Sequence, residues 1–238
     1  MYPISYALDY EGEDRNRLTT FFRALIAIPW EIVAGLYLLV AYIAAIIAWF
    51  AIVFTGRYPE GLYNFNAKAL RMVSRVNGFY YLATDEYPAF NGDPDDAYPV
   101  RVGVPEPQPE YSRVKTLFRL IIGIPVLLLA WVQGIIATVI AVIAWFAILF
   151  TGRFPEGMFE PMRSALAYQT RALAYYILLM TEDYPPFSYD EAQEQPPALA
   201  SPSAPGAGAA VPQPPETAQA PPPPPGEPPQ PPPGGAQQ

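Results

Sequence analysis

The chain has no cysteine and no histidine. Without cysteine there is no disulfide framework, no thiolate nucleophile and no sulfur-ligated metal site. Without histidine the commonest general base and metal ligand are gone as well. Charge is sparse and lopsided: 14 Lys and Arg against 22 Asp and Glu give a net charge of −8 over 238 residues. A nucleic-acid partner is therefore not expected, because phosphate binding needs a basic face. Glycine-rich phosphate loops, serine-nucleophile motifs and carboxylate pairs of recognisable spacing are missing too. The expectation is a protein that is not an enzyme and holds no cofactor and no metal.

What the chain has is apolar length. From Leu25 to Phe54 the only charged residue is Glu31, and from Leu120 to Phe150 there is none, with Gln133 the most polar side chain. About 20 apolar residues cross a hydrocarbon layer of about 30 Å. The first stretch is too long for a cleaved signal peptide, and its flank "YALDYEGEDRNR" is acidic. It reads as an uncleaved anchor. Glu31 is an intramembrane carboxylate by position, which makes it a suspect for ion or proton handling. It also follows Pro29-Trp30 near an expected helix start, where the dipole favours an acid, and its aligned position, Leu127, is apolar.

The octets "FTGRYPEG" (54–61) and "FTGRFPEG" (150–157) lie 96 residues apart. The same offset aligns Tyr2-Pro3 with Tyr98-Pro99, Arg17 with Arg113, Arg23 with Arg119, Pro29 with Pro125, Trp49-Phe50 with Trp145-Phe146, and Arg75 with Arg171. After Leu82 the offset is 97, and "TDEYPAF" (84–90) aligns with "TEDYPPF" (181–187). The chain is therefore a tandem duplication with one inserted residue: copy one at 2–90, an acidic linker at 91–97, and copy two at 98–187. Residues 188–238 carry no Lys or Arg and run into "PPETAQAPPPPPGEPPQPPPGGAQQ". Such a tail cannot bury enough apolar surface to order itself. It serves as a solvated spacer or as a polyproline ligand for a protein partner, and the lack of a flanking cation to orient a docked peptide favours the spacer.

Each copy reads in one order. Ile4, Tyr6 and Leu8, or Val100, Val102 and Val104, alternate as a short strand does. An Arg-bearing amphipathic segment follows, then Pro29 or Pro125, then a long helix over about 30–54 or 126–150. Thr-Gly ends that helix, with glycine free for the left-handed cap. Arg57 and Arg153 then sit at the negative dipole end, level with headgroups. Pro-Glu opens a return helix over about 60–82 or 156–180. On the first, Lys68, Arg71 and Arg75 share a face with Asn64, opposite Leu62, Phe65, Ala69, Met72 and Val76. The second has only Arg163 and Arg171 as basic residues. Arg57, Arg153, Lys68, Arg71, Arg75 and Arg171 are the candidate contacts for lipid headgroups or anions. The "NGDPDD" loop (91–96) lacks the spacing of a calcium loop and reads as solvated linker.

In steps of four and three, Ala34, Leu38, Ala41, Ala45 and Ala48 align with Ala130, Gly134, Ala137, Ala141 and Ala144. These nearly all-small stripes are expected to face each other about a pseudo-twofold axis, crossing near +20°. Two crossings per copy are expected, because that puts both octet turns on one side of the membrane and both Tyr-Pro strands on the other.

The order of Tyr-Pro strand, Arg-rich lead, Pro, long apolar helix, "FTGR[YF]P.G", Arg-bearing helix and "T[DE].YP.F" resembles the uncharacterised bacterial membrane family known as domain of unknown function 4389. The resemblance implies a multi-pass protein of a bacterial cell membrane, duplicated modules and no established activity. It transfers no catalytic residue. Copy two has Ser164 and Ala167 where copy one has Lys68 and Arg71. The expected fold is an all-α membrane protein of two modules, each with a short N-terminal strand, one transmembrane helix and an amphipathic return helix, ahead of a disordered tail. The expected function is a scaffold or accessory protein contacting the lipid bilayer or partners, of open oligomeric state. The alternative is a small transporter or channel component with its path between the copies. Gln133, Thr138 and Glu31 are few and unrepeated, which favours the scaffold.

Overall fold

Copy one begins with strand β1 (Ser5–Leu8), a short helix α1 (Arg17–Phe21) and the long helix α2 (Arg23–Thr55), and ends with α3 (Glu60–Tyr80). Copy two repeats the order with β2 (Val100–Gly103), α4 (Arg113–Ile122), α5 (Ile124–Thr151) and α6 (Phe159–Ala172). A short 3-10 turn at Glu156–Met158 leads into α6, and a π-helical turn at Leu173–Ile177 follows it. The computed structural model describes residues 2–186, all within one compact unit. Phe187 and the tail 188–238, with its expected disorder, lie outside the described residues.

The molecule is mostly helical, and α2 and α5 are each long and apolar enough to cross a membrane. Asn16 and Ser112 start the leading helices by accepting from the amides of Thr19 and Lys115. Both long helices end on a glycine in the left-handed region, Gly56 at φ 75° and Gly152 at φ 74°. That conformation strains any residue with a Cβ, which is why the octet needs Gly there.

The starts of the long helices differ from expectation. α2 begins at Arg23, so Pro29 lies inside it and Glu31 is an exposed residue of its body. Proline removes one backbone bond without forbidding helix on both sides, and Arg23 ties down the upstream turn. In copy two the break falls at Gly123, and Pro125 takes the first turn of α5 as expected. The inserted residue of copy two also has a place. Arg23 lies over the ring of Phe79 and Arg119 over that of Tyr175, still at offset 96. Leu82 and Leu179, both at positive φ, are related by 97. The extra residue is therefore absorbed in the π-helical turn between these points, where the Leu178 amide reaches back to the Leu173 carbonyl.

α3 runs back along α2. Phe79 meets Trp30 near one end, Tyr37 stacks on Phe65 nearer the other, and Ala34 packs with Met72 and Val76 between them. A second face of α3 meets α6, where the Ser74 and Thr170 hydroxyls are 3.0 Å apart. A third face meets the segment carrying β2: Val100 packs where Gly78 has no side chain, Arg71 donates to the Val102 carbonyl, and Tyr63 donates to the Pro105 carbonyl. β1 packs on α6, although Ala174, Ala167 and Phe159 stand at the positions of Gly78, Arg71 and Tyr63.

The strands pair antiparallel, Ser5 with Gly103, Tyr6 with Val102 and Ala7 with Arg101. Under the 96-residue offset the first and last of these pairs exchange, and the middle one maps onto itself. Ser74 and Thr170 are likewise mates at 96. A pseudo-twofold axis thus runs through the Tyr6–Val102 pair and the Ser74–Thr170 contact, transverse to the helices.

This axis makes the copies antiparallel. The end of α2 meets the start of copy two, and the end of α5 meets the start of copy one. The Tyr111 amide donates to the Gly56 carbonyl at 2.8 Å, and the amide of Arg15, its mate, to the Gly152 carbonyl at 3.0 Å. Trp49 donates its indole N–H to the Thr116 carbonyl and Trp145 to that of Thr20, both at 3.0 Å. Two expectations change here. The octet turns stand at opposite ends of the molecule, and the Tyr-Pro strands lie midway rather than together at one end. The small-residue stripes also have another partner than expected. Ala34 packs on α3, Ala130 packs with Tyr168, Ala172 and Tyr175 of the α6 segment, and Gly134 has nothing within 4 Å of where a Cβ would stand. Ala41, Ala45, Ala48, Ala137 and Ala144 are buried and Ala141 is partly so. Ala34 and Ala130 thus admit their own copy's second helix, while Gly134 and Ala141 line open grooves beside Tyr81 and Phe21 of copy one.

Candidate functional site

The structure separates the six cations expected to meet headgroups. Arg57 and Arg153 are exposed, one at each end of the molecule. Their turns are built by Thr55 and Thr151, whose Oγ1 atoms accept from the Arg57 and Arg153 amides at 3.2 and 3.1 Å. Gly56 packs beside Arg113, and Gly152 beside Arg17. Two exposed arginines therefore stand at either end: Arg57 with Arg113, and Arg153 with Arg17.

The return-helix cations are engaged by protein. Lys68 pairs with Asp93 at 2.8 Å on the surface. Arg71 is half-buried against β2. Arg75 is buried, donates to the Asp93 carbonyl at 2.7 Å, and lies 5.6 Å from the Tyr98 ring. Its mate Arg171 is buried and lies 5.6 Å from the ring of Tyr2, the mate of Tyr98. The two Tyr-Pro segments thus hold the arginine of the copy they cross, and a headgroup does not reach Arg75 or Arg171. Burial pulls the Arg75 guanidinium below its ordinary value and pushes the Tyr98 hydroxyl above its own.

The strongest internal constellation was marked in the sequence only as a matched pair. Arg23 is 3% exposed and Arg119 is 2% exposed. Arg23 donates to the Thr84 carbonyl at 3.1 Å, pairs with Asp85, and lies 4.1 Å from the Phe79 ring. Arg119 donates to the Tyr175 and Thr181 carbonyls at 2.8 and 2.6 Å, 4.6 Å from the Tyr175 ring. Arg15 adds a bond to the Leu82 carbonyl at 2.6 Å. These arginines saturate carbonyls freed where a return helix ends. The same motif explains "T[DE].YP". Thr84 and Thr181 accept from the amides of Glu86 and Asp183 at 3.0 and 3.1 Å. Asp85 and Glu182 accept the amides of the helix caps Asn16 and Ser112. The matched charges at residues 23 and 119, just ahead of long apolar runs, were the available signal. Their chemistry is that of a clamp.

The outward faces of α2 and α5 are mainly apolar. Leu25, Ile32, Leu39, Ile47 and Phe54 are exposed along α2, and Leu128, Trp131, Val139 and Phe150 along α5. An open groove of about 440 Å³, lined by Arg23, Tyr81, Thr138 and Trp145 among others, lies between the end of α3 and α5.

A family model described as Domain of unknown function (DUF4389) matches residues 17–91 and again 113–188. The chain belongs to this family, in two tandem copies. Each DUF4389 segment starts at the first residue of a leading helix and takes in the long helix, the octet turn and the Thr-Asp/Glu motif. The strands and the segments 2–16 and 92–112 fall outside both matches. No curated protein and no solved structure matches the chain.

Proposed function

We propose that the protein is a non-catalytic scaffold or accessory protein bound to a bacterial cell membrane. The apolar faces of α2 and α5 hold it to lipid. Its opposite, polar surface is offered to partners, with the Pro-rich tail as a spacer or a further docking segment. The observation that carries this reading is the pairing of two long, outward-facing apolar helices with an interior whose arginines are spent on internal carbonyls and aromatic rings. A soluble protein rarely leaves contiguous apolar patches of this length uncovered. The exposed pairs Arg17/Arg153 and Arg57/Arg113 supply positive charge at the ends of that face, where anionic headgroups sit.

The test is fractionation of the full chain followed by reconstitution. The protein should sediment with membranes, resist carbonate extraction, and support no ion or solute flux in liposomes. Reproducible flux abolished by Glu31→Gln would replace this reading with a small transporter or channel component.

A further inference from the structure

We infer that α2 and α5 lie along the membrane surface, sunk into one leaflet, and do not cross the bilayer. The proposal rests on the membrane reading above. Three observations carry it.

The first is the path of the segment between the copies. Thr84 is held by Arg23 at the start of α2, Val102 lies against Arg71 halfway along α3, and Tyr111 is bonded to Gly56 beyond the end of α2. The segment therefore travels the full length of the long helices. It carries Asp93, Asp95, Asp96, Glu106 and Glu110 exposed, and only four of its residues are strand. Were α2 to stand across the bilayer, this irregular, acidic chain would cross the hydrocarbon beside it, with no water for its free backbone groups. The Arg101–Asp9 and Lys68–Asp93 pairs, near the pseudo-twofold axis, would sit at mid-depth.

The second is length. α2 has 33 residues, about 50 Å at 1.5 Å each. Exposed apolar side chains run from Leu18 on α1 to Phe54, and from Leu117 on α4 to Phe150. A hydrocarbon layer of about 30 Å would leave much of each face in water. A helix lying in the interface covers all of it.

The third is charge placement. β2 itself takes a different face of α3 from the one that packs on α2, and the segment meets α2 at its two ends, where Pro88 and Phe90 lie against Trp30 and Tyr111 bonds Gly56. Asp93 pairs with Lys68 of α3, and Glu106 lines a groove with Glu60 and Lys68 of the same helix. The exposed arginines Arg17, Arg57, Arg113 and Arg153 stand at the ends of the long helices, Arg153 within 3.7 Å of the exposed Glu13. With the pseudo-twofold axis along the membrane normal, both pairs of arginines reach the headgroups of the same leaflet.

The chain has no cysteine, so single cysteines report cleanly. Gly61→Cys and Gly157→Cys probe the two turns, where the space around a Cβ is open. Asp96→Cys probes the linker and Leu36→Cys the apolar face. An impermeant maleimide is applied to spheroplasts and to inverted vesicles carrying the full chain. Residues 61, 157 and 96 should all label from one and the same side, and residue 36 from neither until detergent is added. Labelling of 96 from the side opposite both turns means paired crossings and overturns the proposal. Labelling of 61 and 157 from opposite sides means one crossing per copy and overturns it as well. In both cases the protein is still in the membrane, so the membrane reading survives. A soluble protein, including a dimer that shields residue 36 without lipid, overturns both.

Discussion

Copy one closes one end of the molecule with a polar pair, and copy two closes the other with an apolar one. Tyr58 donates to the Leu178 carbonyl at 2.9 Å and accepts from Asn66 at 2.7 Å. The positions 96 residues on are Phe154 and Met162, both buried. Tyr63 of copy one likewise becomes Phe159. Arg15 and Tyr111 are aligned, differ in type, and still both reach a carbonyl at the end of the return helix, Leu82 or Met180. The copies share backbone bonds across the axis and differ in the side chains that fill around them. Main-chain groups must be paired whatever the sequence, whereas a cavity can be filled in more than one way.

The largest effect tests the clamps. Arg119→Met should cost about 3 kcal/mol or more in detergent unfolding, since two buried carbonyls lose charge-assisted partners. Arg23→Met should cost at least as much, because it also leaves Asp85 with one cation fewer. Near-neutral outcomes at both sites would show that the clamps are not structural.

A smaller effect tests the different helix breaks. A Cβ on Gly123 would stand 2.2 Å from the ring of Tyr176. Gly123→Ala should therefore cost about 1–3 kcal/mol by overpacking, although copy one carries Ala27 at the aligned position. Equal stability to wild type would mean that the π-helical turn yields freely.

The tryptophans probe the symmetry itself. Trp49→Phe and Trp145→Phe each remove one indole bond of 3.0 Å and should each cost about 1 kcal/mol. Thermal melts that differ strongly between the two would break the pseudo-twofold description.

Alkaline pH probes the buried hydroxyls of copy one that are replaced by Phe in copy two. Burial pushes the Tyr58 and Tyr63 hydroxyls above the ordinary value near 10. A phenol whose folded value is raised contributes stability that is present below the unfolded value and is lost as pH rises past it. Stability should fall above about pH 10, and the Tyr58→Phe/Tyr63→Phe variant should show a shallower fall. An unchanged alkaline limb would mean that these hydroxyls are not the groups that titrate.

The smallest effect on folding is expected at the exposed cations. Lys68→Ala should leave the melt unchanged, because the pair with Asp93 is solvated. Arg57→Gln with Arg153→Gln should also leave it unchanged, while lowering binding to anionic over neutral vesicles by about fivefold per arginine. Loss of stability without loss of binding would reassign both residues to the fold.

The local features were legible because each is specified within a few residues. Periodicity placed β1, β2 and the long helices, and Thr-Gly fixed the left-handed turns at Gly56 and Gly152. The change of offset from 96 to 97 announced the extra residue that the π-helical turn absorbs. Less legible was the use of the arginines. Arg75 and Arg171 looked like free cations on a polar face, and are covered by Tyr98 and Tyr2 from the other side of the axis. Arg23 and Arg119 stood out only as an aligned pair ahead of the apolar runs, and are carbonyl clamps.

The sequence by itself determined that there are two copies, which segments are helical, where they turn, and that α2 and α5 present apolar faces. The tertiary structure alone decided how one copy is turned against the other. A repeat establishes which residues are equivalent and leaves the symmetry operation open, since parallel and antiparallel arrangements satisfy the same caps and periodicities. Pairing of β1 with β2 makes that choice, together with the long segment that carries the chain from the end of α3 back past the end of α2. The choice has a physical consequence for the membrane. A charged side chain costs about 2.5–3.5 kcal/mol at the bilayer centre on insertion scales. On the proposed membrane reading, with the copies antiparallel, long helices that lie flat keep the charges at the axis away from that depth.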